Sequence, residues 1–373
     1  MTTAPILPSP LISHIRGVIA SAGGWIGFER WMELALYSPG WGYYANDSRK
    51  FGLMPQGVKG GGSDFVTAPE LSPRFVQALA RQVGQALDAS ATDEVWEFGA
   101  GSGALALQML DALGPRIQRY TIVDLSASLQ ARQRQTLAAH ADKLDWVSEL
   151  PAQMRGVVVG NEVLDAMPVP LLVRLAGVWH ERGVVWHEDR FLHADKPTDL
   201  RPPLEIAGTH DYLTEIHTQA EAFVATLADR LQAGAVFLLD YGFPEHEYYH
   251  PQRHMGTVMC HRGHLADADA LLDPGEKDIT AHVNFTSIAL AGQQAGMQVL
   301  GYTSQARFLL NCGILDGTEE APLAERAMLQ KLINEHEMGE LFKVIAFAVD
   351  SAACPWSGWQ AIGFSVGDRS HTL

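Results

Sequence analysis

Cysteine, basic residues and long apolar runs are all scarce in this chain of 373 residues. Its three cysteines, Cys260, Cys312 and Cys354, lie far apart, which excludes a disulfide framework and is typical of a reducing compartment. The apolar stretch 11–28 is interrupted by a histidine and an arginine, so it is too short and too polar for a membrane span. Arg16 is the only arginine before Arg30, whereas a mitochondrial transit peptide is rich in arginine. We therefore expect a cytoplasmic protein without a membrane span.

The deficit of positive charge limits the choice of partner. The chain has 27 Lys and Arg against 43 Asp and Glu, a formal net charge of −16. The negative electrostatic field of such a protein repels phosphate backbones, so nucleic acid is a poor candidate for the substrate. Because 47% of the residues are hydrophobic and 19% charged, the composition favours a globular protein with a large core, built as one or two domains.

From residue 93 onward the hydrophobic pattern alternates between strands and helices. Helices are predicted after Gly103 and after Ser126, and a further helix begins at Pro73 with Ser72 as its cap. This alternation predicts a parallel sheet with helices on both faces. The apolar runs that predict the first four strands are EVWEF, RYTIVD, LDWV and GVVVGN.

Segments outside this alternating pattern predict other kinds of structure. Residues 171–194 predict a β-hairpin with turns at Ala176-Gly177 and Arg182-Gly183. Residues 213–234 predict an amphipathic helix that ends at Gly234, followed by a strand and then by an irregular region over 241–283. The glycine-rich run 52–65 predicts a flexible loop.

The glycine turn EFGAGSG is the most informative motif. Gly99 and Gly101 allow a tight turn and a close approach of a ligand, and Gly103 opens the following helix. Asp124 ends the next strand, where an acid accepts hydrogen bonds from ribose hydroxyls. No Lys-Ser/Thr follows the glycines, which excludes a P-loop. NAD, S-adenosylmethionine (SAM) and a purely structural turn remain as interpretations.

Glu97 distinguishes between the two ligands. A carboxylate before the first glycine would repel the pyrophosphate of NAD, whereas SAM carries an ammonium and a sulfonium that it would attract. The sequence therefore predicts SAM as the cofactor.

A second polar group follows the fourth predicted strand. Asn161, Glu162 and Asp165 come at its carboxyl end, where an open α/β sheet forms its ligand crevice, although Asn161 and Asp165 could instead cap a turn. Paired carboxylates can hold the planar fork of a guanidinium. Methyltransferases acting on a base amine usually carry Asn-Pro-Pro-aromatic, which is absent, so a protein or small-molecule acceptor is favoured over DNA.

Several stretches together are more specific than the glycine turn alone. The chain resembles the MidA-type methyltransferases, which include a mitochondrial protein-arginine methyltransferase that assists assembly of respiratory complex I. The matching stretches are FERWMELALYSPGWGYY, SDFVTAPELSPRF, VWEFGAGSGALA, VVVGNEVLDAMPV, LLDYGFP, DITAHVNFTSIA and MGELFKVIAF.

The resemblance implies a class I, Rossmann-like, SAM-dependent methyltransferase with a seven-stranded, mostly parallel sheet that ends in an antiparallel strand pair. It implies protein-arginine N-methylation, with a respiratory-complex subunit or another arginine-bearing protein as substrate. A small-molecule methyltransferase and a non-catalytic SAM-binding assembly factor are the alternatives. The implied cofactor residues are Glu97, Gly99, Gly101, Gly103, Asp124, Thr67, Pro69 and Glu70, and the implied catalytic residues are Asn161, Glu162 and Asp165.

With that fold, the chain divides into three consecutive parts. We expect an N-terminal helical and loop extension over 1–70 that covers the cofactor site, and a C-terminal tail over 351–373. Between them lies the methyltransferase core, 71–350, with insertions near 171–212 and 241–283.

Weaker signals lie in and after the irregular region. Histidines are frequent over 246–264, but their spacing matches no zinc pattern, so we predict no metal. Asp240, Tyr241, His282 and Asn284 are candidates for the pocket border, with structural roles equally open.

Overall fold

The computed structural model describes residues 9–46, 67–262, 265–350, 356 and 358–373. The predicted loop over 52–65, His264 and Cys354 lie outside the described residues. The chain forms two compact units, each from discontinuous segments: the first from 1–48, 166–219 and 246–282, and the second from 49–165, 220–245 and 283–373. The division into 1–70, 71–350 and 351–373 stays a prediction.

The helices and strands are numbered in chain order. The α-helices are α1 (Pro10–Ser21), α2 (Phe28–Tyr37), α3 (Ala68–Leu71), α4 (Pro73–Ser90), α5 (Ala104–Leu113), α6 (Ala127–Thr136), α7 (Thr218–Arg230), α8 (Glu245–Tyr248), α9 (Phe285–Gln294), α10 (Gln305–Asn311), α11 (Leu323–Ile333) and α12 (Met338–Leu341). The strands are β1 (Ile26–Gly27), β2 (Glu94–Phe98), β3 (Arg119–Val123), β4 (Leu144–Val147), β5 (Met154–Asn161), β6 (Leu171–Leu175), β7 (Val178–His187), β8 (Arg190–Pro197), β9 (Tyr212–Glu215), β10 (Leu231–Phe243), β11 (Met259–Arg262), β12 (Leu265–Asp267), β13 (Asp278–Thr280), β14 (Val283–Asn284), β15 (Gln298–Ser304) and β16 (Phe342–Val349).

The second unit is organised around one large sheet. Seven strands follow the order β15-β16-β10-β5-β2-β3-β4, and the two-residue β14 pairs with the end of β10. The pairs from β10 to β4 are parallel, whereas β16 is antiparallel to both β10 and β15. The predicted seven-stranded, mostly parallel sheet with an antiparallel pair at its end is therefore confirmed.

The central strands are apolar on both faces. Val157, Val158 and Val159 are consecutive residues of β5 and all are fully buried. A strand covered by helices on both sides needs no polar face, which is why the sequence shows an apolar run rather than alternation here.

Strand register brings four carboxyl ends to one edge of this sheet. Phe98 of β2 pairs with Val123 of β3 and with Gly160 of β5, and Leu239 of β10 pairs with Asn161. Polar residues that follow these strands are therefore close together, as expected for a doubly wound sheet.

The predicted helix over 213–234 is wrong at both ends. The segment begins as β9 and enters α7 only at Thr218, and β10 already starts at Leu231. Gly234 is a strand residue with φ 136°, where a Cβ would lie 1.7 Å from the carbonyl oxygen of Gly156. The glycine is explained by close approach of two backbones and not by a helix cap.

The first unit contains an antiparallel sheet in place of the single predicted hairpin. Its order is β1-β7-β6-β9, with β8 paired to β7. The turn at Ala176-Gly177 is confirmed, but Arg182-Gly183 lies inside β7 and the second turn is at Glu188-Asp189. Both Glu188 and Asp189 have φ near +50°, which is the backbone of a two-residue hairpin turn without the glycine that would have marked it.

Regular structure extends beyond the predicted segments. The region 241–283 contains β11, β12 and β13, which form a small antiparallel sheet, and α1 precedes the helix that the sequence indicated. Among the residues described here, no helix combines the length and the apolar character that a membrane crossing requires.

Candidate active site

The glycine turn lies between β2 and α5 in the second unit. Gly99, Gly101 and Gly103 have φ angles of 66°, 51° and 84°, in the left-handed region that favours glycine. The amide of Gly103 donates to the carbonyl of Ala100 over 2.7 Å, which closes the turn before α5 begins. The backbone is thus held in a tight loop at the carboxyl end of β2.

Glu97 lies beneath this turn, at 2% exposure. Its Oε2 accepts a hydrogen bond from the hydroxyl of Tyr120 over 2.6 Å. Burial raises the pKa of Glu97 to about 8; the bond from Tyr120 opposes this shift and the charge of Asp124 adds to it. The carboxyl group therefore retains its proton near neutral pH unless a cation approaches.

Asp124 lies just beyond β3 and is held by three groups. Oδ1 accepts from the amide of Ser126 at 2.8 Å, and Oδ2 accepts from Nε2 of Gln133 at 2.8 Å. Its carbonyl accepts from Nε2 of Gln130, also at 2.8 Å. Burial raises the pKa of Asp124, while the bonds from Ser126 and Gln133 lower it. Each carboxylate oxygen keeps one lone pair for a further donor.

Gln133 was missed by sequence reasoning. It is fully buried within α6 and its Nε2 donates both to Asp124 and to the carbonyl of Gly101, the latter over 3.2 Å. The only sequence signal is a polar residue where α6 would otherwise bury an apolar one.

The segment before α4 contacts the glycine turn through Glu70 and the following helix α5 through Pro69. Glu70 Oε1 accepts from the hydroxyl of Ser102 over 2.9 Å, and the carbonyl of Pro69 accepts from Gln108 over 3.0 Å. Thr67 precedes α3, and its carbonyl accepts from the amides of Glu70 and Leu71. The structure shows no side-chain cap from Thr67.

The turn after β5 is shaped by Asp240, at 1% exposure. One carboxylate oxygen, Oδ2, accepts from the amides of Val163, Leu164 and Asp165 at 3.1, 2.9 and 3.2 Å. Glu162 takes φ 54°, which costs a non-glycine residue roughly 1–2 kcal/mol. A buried carboxylate thus holds three successive amides and forces a strained turn that presents the acidic residues.

Acidic side chains are crowded at this turn. Burial raises the pKa of Asp240 well above its usual range, and the neighbouring charges of Asp165 and Glu162 raise it further. Asn161 Nδ2 donates to Oε1 of Glu162 over 3.1 Å, while its own Oδ1 is buried without a hydrogen-bond partner. Three carboxyl groups and an unsatisfied acceptor therefore share the carboxyl edge of the sheet, an arrangement that favours a cationic ligand with several N–H groups.

Two of the weaker candidates make structural contacts. Asn284 caps α9 by accepting from the amides of Thr286 and Ser287, and the ring of Tyr241 packs against Phe342 at 5.3 Å. His282 belongs to the first unit. Within the described ranges, no cluster of three or more His, Cys, Asp or Glu could hold a metal ion.

Known proteins are similar to this chain in sequence and in fold. Residues 78–303 match a family model described as "Putative S-adenosyl-L-methionine-dependent methyltransferase". A crystal structure from Burkholderia thailandensis bound to S-adenosyl-homocysteine is 49% identical with a TM-score of 0.89, covering 99% of this chain and 100% of that one.

Curated relatives are more distant. The mitochondrial protein arginine methyltransferase NDUFAF7 of Bos taurus is 27% identical, over 91% of this chain and 83% of that protein. The protein of the same name in Homo sapiens is 26% identical, with the same coverage.

Proposed function

Because the chain belongs to the MidA-type family of SAM-dependent methyltransferases, we propose that its methyl acceptor is an arginine side chain of a protein. SAM is the cofactor of the family, and methyl transfer is its reaction. The acceptor and the roles of individual residues are our proposal. The observation that carries it is the turn after β5, where Glu162 and Asp165 lie beside buried Asp240.

The residues at the glycine turn fit the cofactor. SAM supplies an electrophilic methyl group on a sulfonium, with a primary ammonium and a ribose as handles. We assign the turn over Gly99, Gly101 and Gly103 to close backbone approach and Asp124 to the ribose hydroxyls. Glu97 would act as counter-charge to the ammonium, and the buried Oδ1 of Asn161 offers an acceptor without a partner. Thr67, Pro69 and Glu70 would form the wall beside the turn.

The acidic turn fits a guanidinium. Carboxylates bind its planar N–H groups, and holding it in place localises its positive charge away from one nitrogen. That nitrogen forms a bond to the methyl carbon while the carbon–sulfur bond breaks, giving methylarginine and S-adenosyl-homocysteine. The nitrogen then loses one proton, for which Glu162 and Asp165 are the acceptors we assign. The arginine methyltransferase names of the Bos taurus and Homo sapiens relatives support this acceptor.

The proposal is tested by the identity of the product. Purified enzyme is incubated with isotopically labelled SAM and a proteome from cells lacking the enzyme, and labelled peptides are sequenced by mass spectrometry. We expect label on arginine. Label on another side chain or on small molecules only would overturn the arginine assignment, and an absence of turnover with intact cofactor binding would favour a non-catalytic assembly role.

Neutralising either acid of the turn is expected to lower turnover selectively. Glu162→Gln and Asp165→Asn should each reduce kcat by about 10- to 100-fold, because each loses a charge-assisted bond to the acceptor, while the Kd for S-adenosyl-homocysteine stays within about twofold. Turnover is followed with the labelled peptide and binding by calorimetry. Asp142→Asn, at an exposed carboxylate, is the matched control. Unchanged kcat in both variants would remove these acids from the acceptor site.

The compartment is a separate proposal. We infer a reducing environment, with the cytoplasm as the proposed location, because Cys260 and Cys312 are free thiols. The relatives carry mitochondrial names, so fractionation of cells that express the tagged protein decides between the two locations.

A further inference from the structure

We propose that Gln133 is a positioning residue that fixes the glycine turn and the ribose-binding acid relative to each other. This inference rests on the proposed role of Asp124 in the cofactor site. Gln133 is fully buried in α6, and its amide connects the two parts of that site, which are separated by more than a helix in the sequence.

The orientation of the Gln133 amide follows from chemistry. Oε1 accepts from the indole Nε1 of Trp146 over 3.0 Å, and an indole N–H can only donate. Nε2 must therefore face the other way, where its two hydrogens meet two acceptors, the carbonyl of Gly101 at 3.2 Å and Oδ2 of Asp124 at 2.8 Å. Every polar atom of the side chain is thus satisfied in one orientation only.

Trp146 is itself held in place. It lies in β4, beside β3, and the guanidinium of Arg134 stands over its ring at 4.6 Å. The chain of contacts therefore runs from the edge of the sheet through Gln133 to the backbone of the glycine turn. Nε2 of Gln133 donates to the backbone carbonyl of Gly101. This bond constrains the loop whose N–H groups and φ angles the cofactor needs.

Neither of two substitutes of similar size, glutamate and methionine, can form this bridge. Glutamate would place a carboxylate against the Gly101 carbonyl and the Asp124 carboxylate, so that three acceptors would face one another. Methionine has a similar length but no donor, so it would keep the packing and lose the bridge. The second substitution separates positioning from filling of the core.

The test is a double-mutant cycle between Gln133→Met and Asp124→Asn, with the Kd for S-adenosyl-homocysteine measured by calorimetry. Gln133→Met alone should weaken binding about tenfold, because Asp124 and Gly101 each lose a buried donor. In the Asp124→Asn background the same substitution should weaken binding by clearly less. Gln305→Met, at an equally buried glutamine that donates to the Leu332 carbonyl, controls for loss of stability.

A ribose analogue tests separately whether Asp124 binds the ribose and whether Gln133 positions Asp124. S-adenosyl-homocysteine is compared with its analogue lacking both ribose hydroxyls, and Asp124→Asn should abolish the preference for the natural ligand. Loss of preference in Asp124→Asn but not in Gln133→Met would overturn the positioning role alone. An unchanged preference in Asp124→Asn would overturn the ribose assignment itself. Equal weakening by Gln133→Met and Gln305→Met would show that Gln133 acts only through stability.

Discussion

Replacement of Asp240 by alanine is expected to reduce methyl transfer by about 1000-fold and to lower the free energy of unfolding by roughly 3–5 kcal/mol. The side chain accepts from the amides of Val163, Leu164 and Asp165, and its Oδ1 accepts from the amide of Tyr241 at 2.9 Å. Alanine would leave these donors without partners in a buried place. The strained turn that carries the acidic residues would then relax, because the side chain that accepts from its three amides is gone.

The asparagine variant refines this test. Asp240→Asn keeps one oxygen that can accept from the three amides, but its NH2 group would face the amide of Tyr241, a donor against a donor. We expect a smaller loss of stability than in Asp240→Ala, with turnover still reduced. Urea unfolding followed by circular dichroism, together with labelled methyl transfer, measures both effects. Asp142→Ala is the exposed control, and turnover of Asp240→Ala within twofold of the unmodified enzyme would contradict the proposed role.

Glu97→Gln is expected to stabilise the ligand-free protein and to weaken cofactor binding about 100-fold. The pKa of Glu97 is about 8 in the folded protein, against 4.5 as its ordinary value. As the pH rises between these values, the unfolded chain releases this proton and the folded chain retains it. The free energy of unfolding therefore falls with rising pH, by a total on the order of 5 kcal/mol across the window. Glutamine removes that slope, so the gain in stability grows from pH 4.5 upward and reaches its full value above pH 8.

The same group links binding to protons. If the ammonium of the cofactor pairs with ionised Glu97, binding releases a proton below pH 8, and affinity increases as the pH rises from 6 to 8. Calorimetry with S-adenosyl-homocysteine in two buffers of different ionisation enthalpy counts the proton. Glu97→Gln should abolish the release, whereas Glu149→Gln, at an exposed site, should not. Equal affinity of Glu97→Gln and the unmodified enzyme at pH 7 would exclude Glu97 as the counter-charge.

Local patterns in the sequence were sufficient for the central sheet and the glycine turn. The four predicted strands were found within two residues of their expected ends, because strands buried on both faces must be apolar throughout. The glycines at 99, 101 and 103 indicated positive φ angles directly, since other residues adopt them at a cost. The place of Asp124 at the end of β3 could be predicted because the residue directly follows an apolar run.

The remaining features depend on contacts between residues distant in the chain. Asp240 holds amides 75 to 77 residues earlier, and Gln133 reaches a carbonyl 32 residues before it, so neither role has a local signature. Gly234 is a glycine because the backbone of Gly156 passes close to it, which a local pattern cannot distinguish from a helix end.

Glu97 has one property that the sequence shows and another that only the folded structure shows. Its position before the first glycine is enough to favour a cationic ligand over a pyrophosphate. Its burial and its bond to Tyr120 exist only in the folded chain, and they decide that the carboxyl group keeps its proton until a cation arrives. Residue type and spacing were therefore enough to favour a cationic ligand. The tertiary structure determined the protonation state of Glu97, because desolvation depends on what surrounds a group in space.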